Sequence, residues 1–564
     1  CAGLPFSLNA TGVSFGLGLE YQWESWDPGT STWNAVPGAT TVAYTHPGVS
    51  ATTQFRLVTT CLNSGMSANS DTVTVNVTAN LPGNTYTINP SQATGGLNFN
   101  SFSDAVAALS CGISGHVIFE VDPSAGPYTE RIVIPEIPGT SPTKTVTFKG
   151  NGAVINHNTS VSAERAAILL DGADYVTIDS FEINVSAGTY GIGVHLTNGA
   201  DHNTIRNCVI NAGTSTTTSD YVGIAASGSL TSPTSSGNAA NYTLIENNTV
   251  IGGYYGIVMY GTSSSVLAGT NEVRNNKVID FYYYGIRLYY QDAPIISSND
   301  LSRPTRSTST TMYVLYAGYC DNGILVEKNK LHDLYTSSSA NTSTMYGLYL
   351  YYSDGTVSNP GIVKNNIFYG DLNNGTNYVF YHNYAANTKW LHNTIVCEGS
   401  TTTGGALYSF YVTGSASTPA EFYNNIISVT KAGTAAKYGI YKATTAVPLL
   451  SDHNVFHMNG SGSGAQYVGY SSSGQATLAN WQSATGNDMN SVEADPMFVN
   501  TTLGDLTPVN AMINDIGSPQ GVMDDIYGDP RSATTPDPGA IEFTVSSCAG
   551  QPSVGTVTIP TDIC

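Results

Sequence analysis

Cysteines, scattered carboxylates and many tyrosines are the residues of this 564-residue chain that could carry chemistry. The cysteines stand at 1, 61, 111, 208, 320, 397, 548 and 564. None forms a Cys-x-x-Cys pair, so neither a zinc nor a dithiol redox site is expected. Cys208, Cys320 and Cys397 lie in apolar β patterns and read as small core residues. Cys1, Cys61, Cys548 and Cys564 remain as candidates for disulfide pairing or assembly.

Glycoside hydrolysis would need two carboxylates about 5–9.5 Å apart. A lyase would need calcium-binding acids and a Lys or Arg base. The acids in the region that would have to hold them are Asp179, Glu182, Asp201, Asp280, Asp292, Asp321, Asp333, Asp354 and Asp371, and few share a repeat phase. Asp524–Asp525 is the one adjacent acidic pair, in a segment that reads as a turn. Arg287 in "YGIRLYY" is the best base candidate, with Asp321 the one acid near its phase. His195, His202, His382 and His392 are isolated and read as turn or surface residues. No catalytic residue, metal site or cofactor is therefore expected. The net charge of −21 disfavours nucleic acid and anionic membranes, and suits calcium or plain solubility. No apolar run is long enough to span a bilayer.

The tyrosines are the stronger lead. "GGYYGIVMYG", "FYYYGIRLYYQD", "YVLYAGYC" and "MYGLYLYYSD" bring Tyr255, Tyr260, Tyr283, Tyr284, Tyr289, Tyr290, Tyr319, Tyr346, Tyr351 and Tyr352 into four successive repeats. Alternation sends Ile286 and Leu288 inward, so tyrosines must point outward. Tyr255, Tyr260, Tyr284, Tyr289, Tyr290, Tyr319, Tyr351 and Tyr352 form the candidate aromatic contact surface. It is either a ladder that stabilises the stack through ring contacts or a platform for sugars or a neighbouring protein.

These residues must be held by repeated strands. Over 151–545 a motif of Asn, any residue, then Ile, Val or Leu begins at Asn207, Asn248, Asn276, Asn299, Asn329, Asn365, Asn393, Asn424 and Asn454. It alternates with a Tyr/Gly-Ile motif, and copies lie roughly thirty residues apart. Two short strands per period without a helix predict a parallel β-helix. Asn tolerates left-handed turns and its amides can bond from coil to coil, so these asparagines read as a structural ladder. Uneven coils place loops at 213–220, 228–241 and 303–312. Residues 80–150 lead in, with a capping helix expected in "FNSFSDAVAALSCG" (99–112): Phe102, Ala105, Val106 and Leu109 share one face, and Ser101 or Ser103 is the N-cap.

Residues 1–79 read as a small β-sandwich of short strands, with Trp23 between Cys1 and Cys61. Across this zone "CAGLPFSL", "YQWES" and "TTC" resemble the immunoglobulin-like modules repeated in giant secreted surface proteins of Bacteroidetes-type bacteria. Related modules often carry a further cysteine where Leu57 stands. "SPQGVMDDIYGDPR" and "PDPGAIEF" resemble the C-terminal end of bacterial right-handed β-helix proteins.

These resemblances imply an all-β chain: an immunoglobulin-like sandwich (1–79), a capped right-handed parallel β-helix (80–150 and 151–545), and a strand at 546–564 that belongs to the next sandwich. They imply an extracellular, cell-surface structural or adhesive protein. Its copies join head to tail, either covalently or by strand donation. Cys564 and Cys1 are then equivalent positions, and Cys61 pairs with Cys1 or with the preceding unit's Cys548. Surface glycans are the other partner considered. A polysaccharide-binding or polysaccharide-degrading β-helix is the alternative.

Overall fold

The computed structural model describes residues 1, 3–400, 404–414, 419–444 and 447–545. Cys548, Cys564 and the expected strand at 546–564 lie outside them. The chain divides into two compact units. One comprises Cys1–Ala125, Pro135–Lys149 and Asp174–Val176; the other comprises Gly126–Ile134, Gly150–Ala173 and the residues from Thr177 onward.

The first unit begins with antiparallel strands. Phe6–Asn9 pairs with Ala43–His46, and Leu19–Asp27 lies between Thr32–Ala35 and Thr53–Cys61. Alternation on these strands sends Leu8, Trp23, Phe55 and Leu57 into one core. The Trp23 indole N–H is satisfied by the Thr41 carbonyl at 2.9 Å. The expected helix forms over Phe102–Ala108, with Phe102 and Ala105 buried. Ser101 is its N-cap, its Oγ accepting from the Asp104 N–H at 3.0 Å. Beyond these antiparallel strands, Asn84–Ile88, Val117–Val121 and Val146–Lys149 stack in parallel, placing Tyr86, Phe119 and Phe148 in one inward column.

Cys1 pairs with Cys111, at the end of the capping helix, and not with Cys61. Their Cα atoms are 5.1 Å apart. The bridge ties the first strand's approach to the cap, a long-range pairing that spacing alone does not reveal. Cys61 is a half-buried free thiol, while Cys208, Cys320 and Cys397 are buried free thiols in the core, as their apolar surroundings implied.

The second unit carries most of a parallel β-solenoid of about 13 turns. One coil shows the plan: Ile295–Ser297, Asp300–Ser302 and Met312–Asp321 are strands on three different sheets. Each pairs in parallel with its equivalent one coil on, Ile296 with Val326, Leu301 with Leu331 and Leu315 with Leu348. These columns are fully buried. The loop at 303–312 is anchored by two buried arginines: Arg303 donates to the carbonyls of Phe281 and Thr308, Arg306 to that of Asp280.

The asparagine ladder exists, one residue later than the motif placed it at two rungs. It runs through Asn248, Asn276, Asn299, Asn329, Asn366, Asn393, Asn425 and Asn454, each at most 1% exposed. From Asn276 onward each Oδ1 accepts the backbone N–H of the preceding rung at 2.8–3.0 Å and its Nδ2–H at 2.9–3.2 Å. The second amide hydrogen goes to a strand carbonyl one coil back, such as Val326 for Asn366. Every polar atom of these amides is thus satisfied in a buried interior.

Asn207, Asn365 and Asn424 are not rungs. They occupy the left-handed residue just before the rung, at φ 55°, 55° and 58°. Cys208 holds the rung after Asn207, its N–H donating to Asn248. The two reasons given for Asn therefore belong to neighbouring positions: left-handed tolerance to the first, amide stacking to the second. At 424 ("NNII") the motif fits in either register, and at 365 ("NNIF") it fits only the wrong one, because Phe368 stands where Ile, Val or Leu is asked for; spacing therefore misplaced both.

The ladder ends on Asp488. Its Oδ1 accepts from Asn454 Nδ2 at 2.9 Å, and its Oδ2 from the Trp481 indole at 2.7 Å. Trp481 belongs to the helix Leu478–Thr485 and is fully buried. Burial raises the Asp488 carboxyl while these bonds oppose the rise. The terminal segment is bound to the solenoid by the misplaced asparagines: Arg531 donates to Asn365 Oδ1 at 2.9 Å, and Asn424 bonds both ways with Ser518. Asp525 accepts from the N–H groups of Tyr527 and Asp529, and Asp524 pairs with Lys328, so this acidic pair has a turn and docking role.

Candidate functional site

The tyrosines line the sheet that contains Met312–Asp321. Its register sorts them into columns. Tyr255, Tyr284, Tyr313, Tyr346, Tyr378, Tyr408, Tyr438 and Tyr467 form the first. Tyr316, Tyr349, Tyr381, Tyr411, Tyr441 and Tyr470 form the second, three residues further along each strand.

Side chains three apart on a regular strand face opposite ways. Here Val314 and Leu315 both turn inward, so Tyr313 and Tyr316 both turn out. The Tyr-x-x-Tyr spacing in "YVLY", "YGLY", "YVFY", "YSFY", "YGIY" and "YVGY" was the signal for this face. Strict alternation hid it, and the second column was missed altogether.

Of the residues expected on the surface, Tyr255, Tyr260 and Tyr284 are buried, at 5–7% exposure. Tyr289, Tyr290, Tyr319, Tyr351 and Tyr352 are partly exposed. Tyr290, Tyr319, Tyr352 and Tyr384 make a further column at the sheet's edge, all with positive φ; Tyr352 and Tyr384 stack at 4.8 Å.

From Tyr284 to Tyr467 the first-column rings follow one another at 4.6–5.3 Å with planes 5–15° apart. The second column stacks likewise at Tyr349–Tyr381, Tyr411–Tyr441 and Tyr441–Tyr470, but crosses perpendicularly at Tyr316–Tyr349 and Tyr381–Tyr411. The ring faces are therefore spent on one another. What such stacks leave for a partner is ring edges and phenol hydroxyls, repeated at the strand spacing of about 4.8 Å. Burial pushes the phenols of Tyr349 and Tyr411 up to about 12, so they stay neutral near pH 7.

Arg287 stands on this face, not as a base beside acids but inside a tyrosine collar. Acids do share a phase, contrary to expectation: Asp292 and Asp321 are register partners, and the Asp354 N–H donates to Asp321 Oδ1 at 2.9 Å. Burial, with the Asp354 and Asp292 charges, pushes the Asp321 carboxyl up to about 6. Asp354 Oδ1 in turn accepts the Ala386 N–H at 2.7 Å, so this column fastens one coil to the next.

His195, His382 and His392 are buried core residues rather than turn or surface ones, and burial lowers all three. His202 is a turn residue at φ 57°, stacked on Tyr242.

A groove of about 370 Å³ beside the sheet that contains Asp300–Ser302 is lined by Glu398, Ser428, His457, Asp495 and Phe498 among others. Ser428 Oγ lies 3.2 Å and Asp495 Oδ1 3.6 Å from the same His457 nitrogen, Nδ1. A hydrolytic triad needs the serine and the acid on opposite ring nitrogens, so this is not one. Among the described residues no group of three or more His, Cys, Asp or Glu could hold a metal ion, and no helix is long and apolar enough to cross a membrane.

A family model described as a domain of unknown function (DUF8696) matches residues 1–79. No curated protein matches the chain. Several solved structures are similar in fold. XylC in complex with xylose is 12% identical, covering 74% of this chain and 67% of its own, with a TM-score of 0.36. PfbA, a surface adhesin of Streptococcus pneumoniae, is 12% identical, covering 70% and 85%, with a TM-score of 0.33. A family 28 exopolygalacturonase of Yersinia enterocolitica is 11% identical, covering 75% and 93%, with a TM-score of 0.29.

Proposed function

We propose that this chain is a non-catalytic extracellular module of a bacterial cell surface, with an immunoglobulin-like sandwich ahead of a right-handed parallel β-helix. Its tyrosine sheet is the adhesive face and holds surface polysaccharide. The observation that carries this reading is the continuity of the face: two adjacent tyrosine columns persist in register over coil after coil. Folding needs only that outward positions be polar, and Ser or Thr would meet that need. Edges and hydroxyls at a fixed repeat suit hydrogen bonding to an extended hydroxyl-rich polymer, rather than stacking of one sugar per ring.

The test is binding of the chain to a panel of insoluble and soluble polysaccharides. Replacing Tyr378, Tyr408 and Tyr438 together by Ser should abolish retention while the far-ultraviolet spectrum stays unchanged. Retention that survives the triple replacement would refute the reading.

Head-to-tail joining of copies belongs to the same proposal: the strand at 546–564 of one unit enters the next unit's sandwich, where Cys61 pairs with the preceding unit's Cys548. Mass spectrometry of the native material should show a Cys61 cross-link. The second reading, polysaccharide hydrolysis, is favoured by the phase-matched Asp292, Asp321 and Asp354. It predicts release of reducing ends that D321A eliminates.

A further inference from the structure

Arg287 interrupts the tyrosine pattern. It is the register partner of Tyr316 and so takes the next place in the second column. Its guanidinium carbon lies 4.6 Å from the ring centre of Tyr284, 5.1 Å from that of Tyr260, and 5.5 Å from those of Tyr289 and Tyr316. Cation–π contacts hold it there.

The described residues give this guanidinium neither a carboxylate nor a hydrogen-bond acceptor, and its Nε–H is buried without a partner. Every other arginine of the chain donates to a carboxylate or a backbone carbonyl. Arg287 is only partly exposed and its Nε is buried, so the terminal N–H groups are the donors that remain reachable while the collar fixes them in place. Next to it, Gly318 takes the column position that Tyr289 and Tyr351 hold in the flanking coils. Tyr289 leans into that space, two of its ring atoms only 2.7 Å from where a Cβ would stand. Arg287 and Tyr289 together break the regularity of the face at one point.

We propose that Arg287 is an anion-recognition residue on the tyrosine face and receives the carboxylate of a uronate-bearing polysaccharide. This rests on the reading of the face as a polysaccharide-binding surface. A guanidinium offers a planar fork of donors that a carboxylate fills with two parallel bonds. The tyrosine collar supplies the partly desolvated surroundings in which such a pair is strong. The hydroxyl-studded columns beyond it would carry the neutral remainder of the chain. One acidic sugar would thereby set the register of the polymer along the solenoid.

The experiment uses the full chain and compares three soluble probes of equal length: a hexuronate oligosaccharide, its carboxyl-reduced neutral counterpart, and a sulfated neutral oligosaccharide. Wild type should bind the uronate at least about tenfold more tightly than the reduced form. Arg287→Gln and Arg287→Met should lose that margin while binding the reduced probe as wild type does, and Arg287→Lys should retain only part of it. Melting within about 2 °C of wild type shows that the collar survives each change. Three results would overturn the inference: equal wild-type affinity for uronate and reduced probes, an undiminished margin in Arg287→Gln, or a preference for sulfate. In the first two cases, binding of the reduced probe that the tyrosine triple replacement removes would leave the face intact as a polysaccharide surface. If no probe binds at all, the proposed function of the face fails together with the inference.

Discussion

The asparagine ladder and the tyrosine columns follow the same rule, one residue type per coil in strict register: the asparagines inside, at the turn between two of the sheets, and the tyrosines on the outer face of the other sheet. Inside, each amide is buried and its hydrogen bonds are complete. Outside, each ring leans on its neighbours; Tyr284, Tyr316 and Tyr349 are covered by them, and from Tyr378 to Tyr470 the rings of both columns are partly exposed. An interior repeat must close its own hydrogen bonds, because water cannot complete them. An exterior repeat need only stack, and its free edges remain available. The same periodicity thus produces a structural spine on one side and a candidate recognition face on the other.

Removing one rung should have the largest effect. Asn366→Ala would orphan the buried Asn329 N–H and take the side-chain donor from both the Val326 carbonyl and the Asn393 amide oxygen, the latter keeping only the backbone N–H of residue 366. A loss of about 4 kcal/mol is expected, read by chemical denaturation, with early proteolysis within the surrounding coils. Gly318→Ala comes next. Its methyl would collide with the rings of Tyr289 and Tyr316, at about 2 kcal/mol, and quenching or lifetime of tyrosine fluorescence should report the displaced rings.

Tyr381→Ala should cost about 1.5 kcal/mol, since it removes a stacked contact with Tyr349 at 4.4 Å and an edge contact with Tyr411. If an outside ring cost as much as an inside amide, the contrast between the two repeats would collapse.

Asp321→Asn should have the smallest effect and the opposite sign. The folded carboxyl sits at about 6, above its ordinary 3.8, so its favourable contribution is present below that lower value and lost as pH rises through 6. The amide keeps the acceptor for the Asp354 N–H without the charge. Melting temperatures should therefore match wild type near pH 4. They should exceed it at pH 8 by the equivalent of about 1 kcal/mol, given the partial exposure of the site.

What was legible in the sequence is what is local or repeated. The capping helix was legible because Ser101 and its apolar face lie within one short window. The solenoid was legible because its motifs recur. The rung register failed at Asn424–Asn425, where two adjacent asparagines satisfy the same spacing, and at Asn365–Asn366, where Phe368 takes the inward place that the motif reserves for Ile, Val or Leu; only the three-dimensional register places the rungs. The second tyrosine column failed because Val314 and Leu315 both face inward, which no strict alternation predicts. The Cys1–Cys111 bridge and the burial of His195, His382 and His392 are set by contacts between distant segments, to which composition and spacing are blind.

The ladder also has a direction. Each amide gives one hydrogen to the rung of the next coil and receives on its oxygen from the rung before, until Asp488 accepts the last of them. A coil added or deleted in the middle hands on the same donors and acceptors that it takes in. The number of coils is therefore free to change by duplication or loss, while the terminator must remain an acceptor. In such an architecture length is the evolvable quantity and the ends are the invariant ones.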